Sequence, residues 1–225
     1  MIELDKVAYS YGGADLLTGV SLTLNPGSFH FLTGPSGAGK TTFLRLAYGA
    51  LMPKSGHVRL FLQDRMTMSP DDLADCRRRI GIVQQDCQFL DHLSVAENVA
   101  LPLTVQGGLN AAAQENLRDL LAWVGLTERA DARPPELSGG ERQRAALARA
   151  VIMSPDVILA DEPTGNVDFD MSQRLIRLLV ELNRMGKTIM VATHDLTLIR
   201  TAKTHVQARV LRITNRQVQS AGADL

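Results

Sequence analysis

Cysteines are scarce in this sequence of 225 residues, and long apolar runs are missing from it. Two cysteines, Cys76 and Cys87, are too few for a disulfide framework or a zinc site, which fits a reducing compartment. No stretch approaches the roughly 18 consecutive apolar residues that a membrane span requires. The start of the chain contains acidic residues and lacks the apolar core of a signal peptide. We therefore expect a soluble protein that associates with a membrane only through a partner.

An excess of charge of either sign is also missing, since 24 lysines and arginines balance 24 aspartates and glutamates. No overall field therefore attracts nucleic acid or an anionic membrane, and we expect no nucleic-acid partner. A phosphate ligand has to be held by local geometry instead. The apolar fraction of 45% and the charged fraction of 21% are ordinary for a globular protein that buries a substantial core.

Strand-like and helix-like segments alternate along the chain, which predicts an α/β fold. VILAD at 157–161 and TIMVATHD at 188–195 are apolar runs of the kind that is buried on both faces of a parallel sheet. The spacing between them predicts a helix over 171–185, and HVRLFL at 57–62 predicts a further strand. The middle of the chain, from about 86 to 153, is mostly helical in pattern. We therefore expect a helical insertion between two halves of a sheet core.

GPSGAGKTT, at 34–42, matches the phosphate-loop pattern GxxxxGK[ST] between a predicted strand and a predicted helix. Its glycines let backbone N–H groups point at phosphate oxygens, and the helix start adds positive potential. Lys40 can reach the β- and γ-phosphates, and the Thr41 hydroxyl can bind Mg²⁺. ATP and Mg²⁺ are therefore the predicted cofactors, whereas a plain Gly-rich turn does not account for the full pattern. The loop contacts predicted for the nucleotide are Gly34, Pro35, Ser36, Gly37, Ala38, Gly39, Lys40, Thr41 and Thr42.

ILADEP, at 158–163, is an apolar run that ends in two adjacent carboxylates. Ligands of parallel sheets bind at the carboxyl edge, where such a run ends. Asp161 is predicted to hold Mg²⁺, usually through water, and Glu162 to orient or deprotonate the attacking water. Acidic residues often only begin a loop, but the phosphate loop favours the functional interpretation here.

LSGGERQR, at 137–144, places Ser138, Gly139 and Gly140 directly before a predicted helix. Such a helix start is suited to binding an anion, so the chain carries a second phosphate-binding element. An ordinary helix start capped by serine is the alternative if the string is taken alone.

With these strings in this order, the sequence resembles the ABC ATPase family, whose signature motif is LSGGQ or LSGGE. The resemblance covers nearly the whole chain and implies a single ABC ATPase domain over 1–225. That domain has a P-loop NTPase (RecA-like) parallel-sheet core, an N-terminal antiparallel β subdomain and an inserted helical subdomain at about 86–153. It also implies an ATP-dependent head-to-tail homodimer, in which Ser138, Gly139 and Gly140 of one subunit close over the ATP of the other.

Four further positions match the family's motifs. Gln85 resembles the Q-loop glutamine that contacts Mg²⁺ and the lytic water, and His194 the switch histidine near the γ-phosphate. Asp168 resembles the D-loop aspartate at the dimer interface, and Tyr11 stands where the family stacks an aromatic ring on adenine. Taken alone, a histidine at a strand end is more often structural, and a lone tyrosine more often only packs. The predicted catalytic residues are Glu162, His194, Gln85 and Lys40, and the predicted metal-binding residues are Thr41, Gln85 and Asp161.

Within the family, SVAENVALPL and LADEPTGNVD running into VATHD are most similar to the cell-division branch, FtsE. That resemblance implies an integral membrane partner of the FtsX type at the cytoplasmic face of the bacterial inner membrane, and control of periplasmic cell-wall hydrolysis. ATPases of lipoprotein release or of MacB-type machines share much of the second string and remain the alternative. A soluble ABC ATPase of DNA repair or translation usually adds coiled coils, zinc cysteines or a second ATPase domain, which are missing here.

The sequence departs from the family pattern at three places. Gln84 replaces the usual Phe, Val167 replaces the usual Leu, and the last hairpin has Asn215 and Arg216 where an Asp-Gly turn is common. These departures remove no catalytic group, but they leave the last strand pair to be tested. Apolar residues after Gln85, including Phe89 and Leu90, form one candidate wall of the partner surface, with core packing as the alternative.

Overall fold

The computed structural model describes residues 1–165 and 167–221, which form ten strands, seven α-helices and two short 3-10 helices at Thr127–Arg129 and Pro134–Glu136. The strands are β1 Ile2–Tyr9, β2 Leu17–Leu24, β3 Phe29–Thr33, β4 Ser55–Leu60, β5 Gln63–Asp64, β6 Ile80–Val83, β7 Val157–Asp161, β8 Thr188–Ala192, β9 Ala208–Thr214 and β10 Gln217–Ser220. The helices are α1 Lys40–Ala47, α2 Pro70–Arg78, α3 Val95–Val105, α4 Ala111–Trp123, α5 Gly139–Val151, α6 Phe169–Arg184 and α7 Leu196–Lys203. No helix within the described ranges is both long and apolar enough to cross a bilayer.

The first sheet is antiparallel, with the strand order β2-β1-β4-β5. Alternate residues such as Leu4, Val20 and Val58 are buried on one face, because successive side chains of a strand point to opposite sides. This face packs with Phe43 and Leu46 of α1 into one core cluster. The N-terminal antiparallel sheet of the predicted fold is therefore present.

The second sheet has the order β10-β9-β3-β8-β7-β6, and its strands from β9 to β6 are parallel. Every residue of β3, β7 and β8 is buried, because helices or the first sheet cover both faces. Helix α6 runs between β7 and β8 and ends at Arg184, followed by the C-cap residue Met185 and by Gly186 with φ +88°. The predicted α/β fold with a parallel-sheet core is confirmed.

Helices α3, α4 and α5 share a separate core, which contains Val99, Leu121 and Ala145. Helix α5 also places Ala146 and Leu147 in the core below the parallel sheet. The helical segment is thus packed on the sheet core through α5. The predicted subdomain limits of about 86 and 153 stay a prediction.

Two tight turns form without a glycine. The strand predicted over 57–62 ends at Leu60, because Phe61 and Leu62 are left-handed, with φ of 50° and 75°, and turn the chain into β5. Asn215 and Arg216, with φ of 51° and 65°, form the corresponding two-residue turn between β9 and β10. The last strand pair therefore forms without an Asp-Gly sequence.

Candidate active site

The phosphate loop connects β3 to α1 at the carboxyl edge of the parallel sheet. Gly37 and Gly39 are left-handed, with φ of 78° and 104°, and Gly39 precedes α1 without a side chain to cap it. A Cβ on Gly34 would lie 3.2 Å from the Ile213 carbonyl oxygen, so a side chain there would crowd the last hairpin. This backbone leaves the first amides of α1 available for an anion.

Lys40 is almost buried and points back into the loop. Its Nζ donates to the Gly34 carbonyl oxygen at 2.9 Å and lies 3.3 Å from Glu162 Oε1. The side chains of Lys40 and Glu162 are only 8% and 9% exposed. The ammonium group therefore stands where phosphate oxygens of a bound nucleotide would compete for it.

Glu162 directly follows β7 in a left-handed conformation, with φ of 44°, which is costly for a residue other than glycine. Its backbone N–H donates to the Ala192 carbonyl oxygen at 2.8 Å, which ties it to the end of β8. Its Oε1 lies 3.0 Å from Nδ1 of His194. The carboxylate is thus held between Lys40 and His194 and faces the cleft, as a base for an incoming water must.

Asp161 ends β7 and is 8% exposed. The pKa of its carboxyl group is raised, because burial outweighs the opposing effect of a hydrogen bond from Thr41. Its Oδ1 has no hydrogen-bond partner among the described residues. A buried carboxylate oxygen beside a threonine hydroxyl is a donor set that suits Mg²⁺.

A cleft of about 340 Å³ brings most of the predicted site residues together. Its lining is Leu16, Ser36, Gly37, Gly39, Lys40, Thr41, Thr42, Gln85, Asp161, Glu162 and His194. Leu16 is the one residue of this lining that the sequence did not predict, because no local motif marks an apolar residue before β2 as part of a site. Pro35 and Ala38, from the same loop, line a neighbouring cavity shared with the turn at Asn215.

Tyr11 lies beside the phosphate loop, with its hydroxyl 3.1 Å from Thr42 Oγ1. The residue is 61% exposed, and its ring meets the ring of Tyr9 edge to face, with centroids 4.9 Å apart. An exposed aromatic face next to the phosphate site is available for stacking on a base. The role in adenine binding stays a prediction.

Ser138 and Asp168 cap two helices whose starts lie together. Ser138 Oγ accepts from the Glu141 N–H at 3.3 Å at the start of α5, and Asp168 Oδ1 accepts from the Met171 N–H at 2.8 Å at the start of α6. A Cβ on Gly140 would lie 2.8 Å from Met171 Cγ, so the two helix starts touch.

Within the described residues, the Lys40 cleft of this chain is lined by none of Ser138, Gly139, Gly140 and Asp168. The signature element is thus separate from the phosphate loop of its own chain. Gln84 is exposed beside Gln85, and Val167 packs against the core below the parallel sheet. Asn166 of the same string lies outside the described residues.

Residues 17–165 match the family model described as ABC transporter. The chain belongs to this family. Together with the relatives below, this confirms the prediction of an ABC ATPase, an enzyme that binds and hydrolyses ATP.

Relatives of this ABC ATPase cover almost its whole length. It is 40% identical over 209 residues to the cell division ATP-binding protein FtsE of Bacillus subtilis (strain 168), which covers 92% of each chain. It is 42% identical over 200 residues to the protein of the same name from Escherichia coli (strain K12), over 88% of this chain and 90% of the relative.

Two solved structures share the fold. One is an ATP-binding cassette in a dimeric post-hydrolysis state bound to ADP and Pi, with a TM-score of 0.87 and 31% identity over 98% of both chains. The other is a dimeric bacterial ABC transporter cassette, with a TM-score of 0.86 and 32% identity over 97% of both chains.

Proposed function

We propose that this ABC ATPase is the ATP-hydrolysing subunit of an FtsE–FtsX-type complex in bacterial cell division. The observation that supports this most is the identity of 40% and 42% to two proteins named cell division ATP-binding protein FtsE. The matches cover about nine-tenths of this chain and of each relative, so they extend well beyond the nucleotide-binding motifs.

The working unit in this proposal is a head-to-tail homodimer that sandwiches two ATP molecules. The two similar solved cassettes are dimeric. In this chain, Ser138 and Asp168 begin adjacent helices away from the Lys40 cleft, which leaves them free to complete the cleft of a second copy. Because both helix starts lie side by side, one docking movement brings both to the partner's ATP.

Thr41 and Asp161 would hold Mg²⁺, with Gln85 at the edge of the same cleft. When bound, Mg²⁺ would neutralise part of the charge on the β- and γ-phosphates. The buried and unpaired Asp161 Oδ1 supports this assignment. Tyr11 would stack on the adenine, and the amides of residues 34–42 would cradle the phosphates.

Hydrolysis follows from the positions of Lys40, Glu162 and His194. The γ-phosphate draws the Lys40 ammonium away from Glu162, which frees the carboxylate to accept a proton from water. The water oxygen bonds to the γ-phosphorus as the bond to the ADP oxygen breaks, and Lys40 stabilises the charge. His194, 3.0 Å from Glu162 Oε1, keeps that carboxylate aimed at the water.

The FtsX-type membrane partner would dock beside the loop that carries Gln85. A groove of about 480 Å³ runs from Thr41 and Arg45 to Gln84, Gln85 and Gln88. Leu90 follows Gln88 of this lining by two residues in the sequence and is 42% exposed. Docking there would hold the ATPase at the cytoplasmic face of the inner membrane and link ATP turnover to periplasmic cell-wall hydrolysis.

The test is co-purification of the tagged chain with the FtsX-type membrane protein encoded in the same genome. Leu90→Asp should abolish co-purification and leave nucleotide binding intact. Val105→Asp is the matched control, since Val105 is 79% exposed at the end of α3 and should not affect the complex. Stable association with a lipoprotein-release or MacB-type membrane protein, and none with the FtsX-type protein, would replace the proposal by that alternative.

A further inference from the structure

A cavity of about 220 Å³ lies at the edge of the parallel sheet opposite to the Lys40 cleft. It forms where α4, the ends of α5 and α6, and the start of β7 meet. Strand β7 runs from Ile158, in the lining of this cavity, to Asp161 in the cleft, a distance of about 10 Å. Within the described residues, the two linings share no member. An occupant of the cavity would therefore not compete with ATP for contacts.

The interior of the cavity is apolar and includes an aromatic ring. Leu120, Ile158 and Leu182 are part of its lining, and Trp123 of α4 supplies the ring. Trp123 is half-buried and packs against both the core of α3, α4 and α5 and the core below the parallel sheet. Met185, also in the lining, is 68% exposed, and its thioether can contact the edge of an aromatic ligand. These side chains favour an aromatic ligand over an aliphatic one of the same size.

The volume of the cavity limits the size of the ligand. An apolar cavity of about 150 Å³ is large enough to bind benzene. A cavity of about 220 Å³ therefore has room for a second ring. A nucleotide, with its base, ribose and phosphates, is too large for it.

Lys187 gives the cavity a positive charge at a fixed place. Its Nζ donates to the carbonyl oxygen and to Oγ of Ser154, both at 3.0 Å. An ammonium group has three N–H donors, so one remains for a ligand, and the Ser154 hydroxyl keeps its own proton to donate. Ser154 is left-handed, with φ of 50°, a strained conformation of the kind found at binding sites. A carboxylate fits these donors better than a neutral group does.

Lys187 is the one charged side chain in this lining, as far as the chain is described. Three acids lie next to lining residues in the sequence, and none of them is part of the lining: Asp119, Asp156 and Glu181. Asp156 Oδ2 pairs with Arg79 at 2.7 Å, and Glu181 Oε2 accepts from Trp123 Nε1 at 3.0 Å. The cavity is therefore complementary to a single negative charge on an apolar body.

We propose that this cavity is a second binding site, and that its ligand is a two-ring aromatic carboxylate. The ring system lies against Trp123 and Met185, and the carboxylate accepts from Lys187 Nζ and from the Ser154 hydroxyl. The site does not include the groove at Gln85, so it is independent of the membrane partner proposed above.

The test is a titration of the full chain with 2-naphthoate. Trp123 is the only tryptophan in the sequence, so its indole N–H gives a single NMR signal that reports on the cavity. This signal should shift in a saturable way, with a Kd on the order of 0.1 to 1 mM for so small a ligand. 2-Naphthamide has the same rings without the charge and should bind about ten-fold more weakly. Absence of a saturable shift with 2-naphthoate, or equal affinity for the two compounds, would overturn the inference.

Variants of Lys187 test the charge directly. Lys187→Gln should lower the affinity for 2-naphthoate about ten-fold and have little effect on 2-naphthamide. Lys187→Arg keeps the charge and should retain most of the affinity. Lys6→Gln is the matched control, because it removes an exposed lysine from β1 in the other sheet and should change neither affinity. An equal loss in Lys6→Gln, or no loss in Lys187→Gln, would contradict the proposed site.

ADP distinguishes this cavity from the nucleotide site, where an aromatic anion could also bind. Tyr11 and the amides of the phosphate loop offer an aromatic face and anion donors there. Saturating ADP should leave the Kd for 2-naphthoate unchanged, since the two linings have no residue in common. Displacement of the probe by ADP would place it in the Lys40 cleft and overturn the inference, but it would leave the proposed ATPase function intact.

Discussion

Lys40 Nζ and Glu162 Oε1 lie 3.3 Å apart in the cleft, and both side chains are more than nine-tenths buried. The same oxygen also lies 3.0 Å from His194 Nδ1. In this arrangement the charge of Glu162, the proposed base, is balanced by that of Lys40, the proposed phosphate-binding lysine. In the proposed mechanism, ATP would therefore have a second effect besides being the substrate, since its γ-phosphate would draw Lys40 away and leave Glu162 as a free carboxylate.

Glu162→Gln should retain ATP binding and lose hydrolysis. The amide keeps the shape of the side chain but cannot accept a proton from water, so kcat should fall at least about 100-fold. The ATP-bound dimer should then accumulate, which gel filtration with light scattering will show. Hydrolysis at the wild-type rate would mean that Glu162 is not the base.

Lys40→Ala and Ser138→Arg chains should complement each other in mixed dimers. Each variant alone lacks a component of both composite sites, whereas a mixed dimer has one site with wild-type Lys40 and wild-type Ser138. Chains with two different affinity tags allow mixed dimers to be isolated and their ATPase rate measured. An isolated mixed dimer without any recovered activity would contradict the head-to-tail arrangement.

The main elements of the fold could be predicted because they depend on periodic burial. The runs at 157–161 and 188–195 are apolar at nearly every position, and both are fully buried parallel strands. The phosphate loop and the adjacent carboxylates could be located because each is a short contiguous motif whose residue types indicate phosphate or metal binding. The contact of Arg149 with Gln88 could not be predicted from the sequence, because the two residues are 61 positions apart and no local pattern indicates the contact.

The turn at Phe61 and Leu62 shows a different limit. Two-residue turns of this kind favour asparagine and glycine, so two large apolar residues predict a continuing strand. The structure places them in the turn because Phe61 packs under Arg79, whose Nε pairs with Asp156 Oδ2 at 2.7 Å. A tertiary contact has therefore overridden the local preference.

Leu62→Gly should stabilise the protein. Leu62 is left-handed, with φ of 75°, and is 90% exposed. A glycine at this position would relieve the backbone strain, and little buried apolar surface would be lost. Removing the Cβ should raise the free energy of unfolding by about 1 kcal/mol, or the melting temperature by about 2–4 °C. Leu62→Ala is the control, because it shortens the side chain but keeps the Cβ and its strain. Equal stabilisation by both variants would assign the gain to lost surface apolarity instead.

His30 should make the folded protein sensitive to mild acid. It is 1% exposed on β3, and both ring nitrogens lack a hydrogen-bond partner among the described residues. Burial, with a smaller effect of the Arg209 charge, lowers the pKa of His30 from 6.5 to about 4. Between these values the unfolded chain takes up a proton that the folded chain does not, so stability falls as the pH drops below about 6.5. The full effect is about 3 kcal/mol by pH 4.

His30→Leu isolates this effect, because all other titrating groups are common to both proteins. Relative to the wild type, the variant should gain about 1.4 kcal/mol in free energy of unfolding per pH unit as the pH falls from 6.5 toward 4. Urea unfolding at several pH values measures the difference directly. Met190→Leu, a substitution of a buried residue paired with His30 across β3 and β8, should show a constant difference from the wild type. A constant difference for His30→Leu as well would show that the buried ring is not the acid-sensitive group.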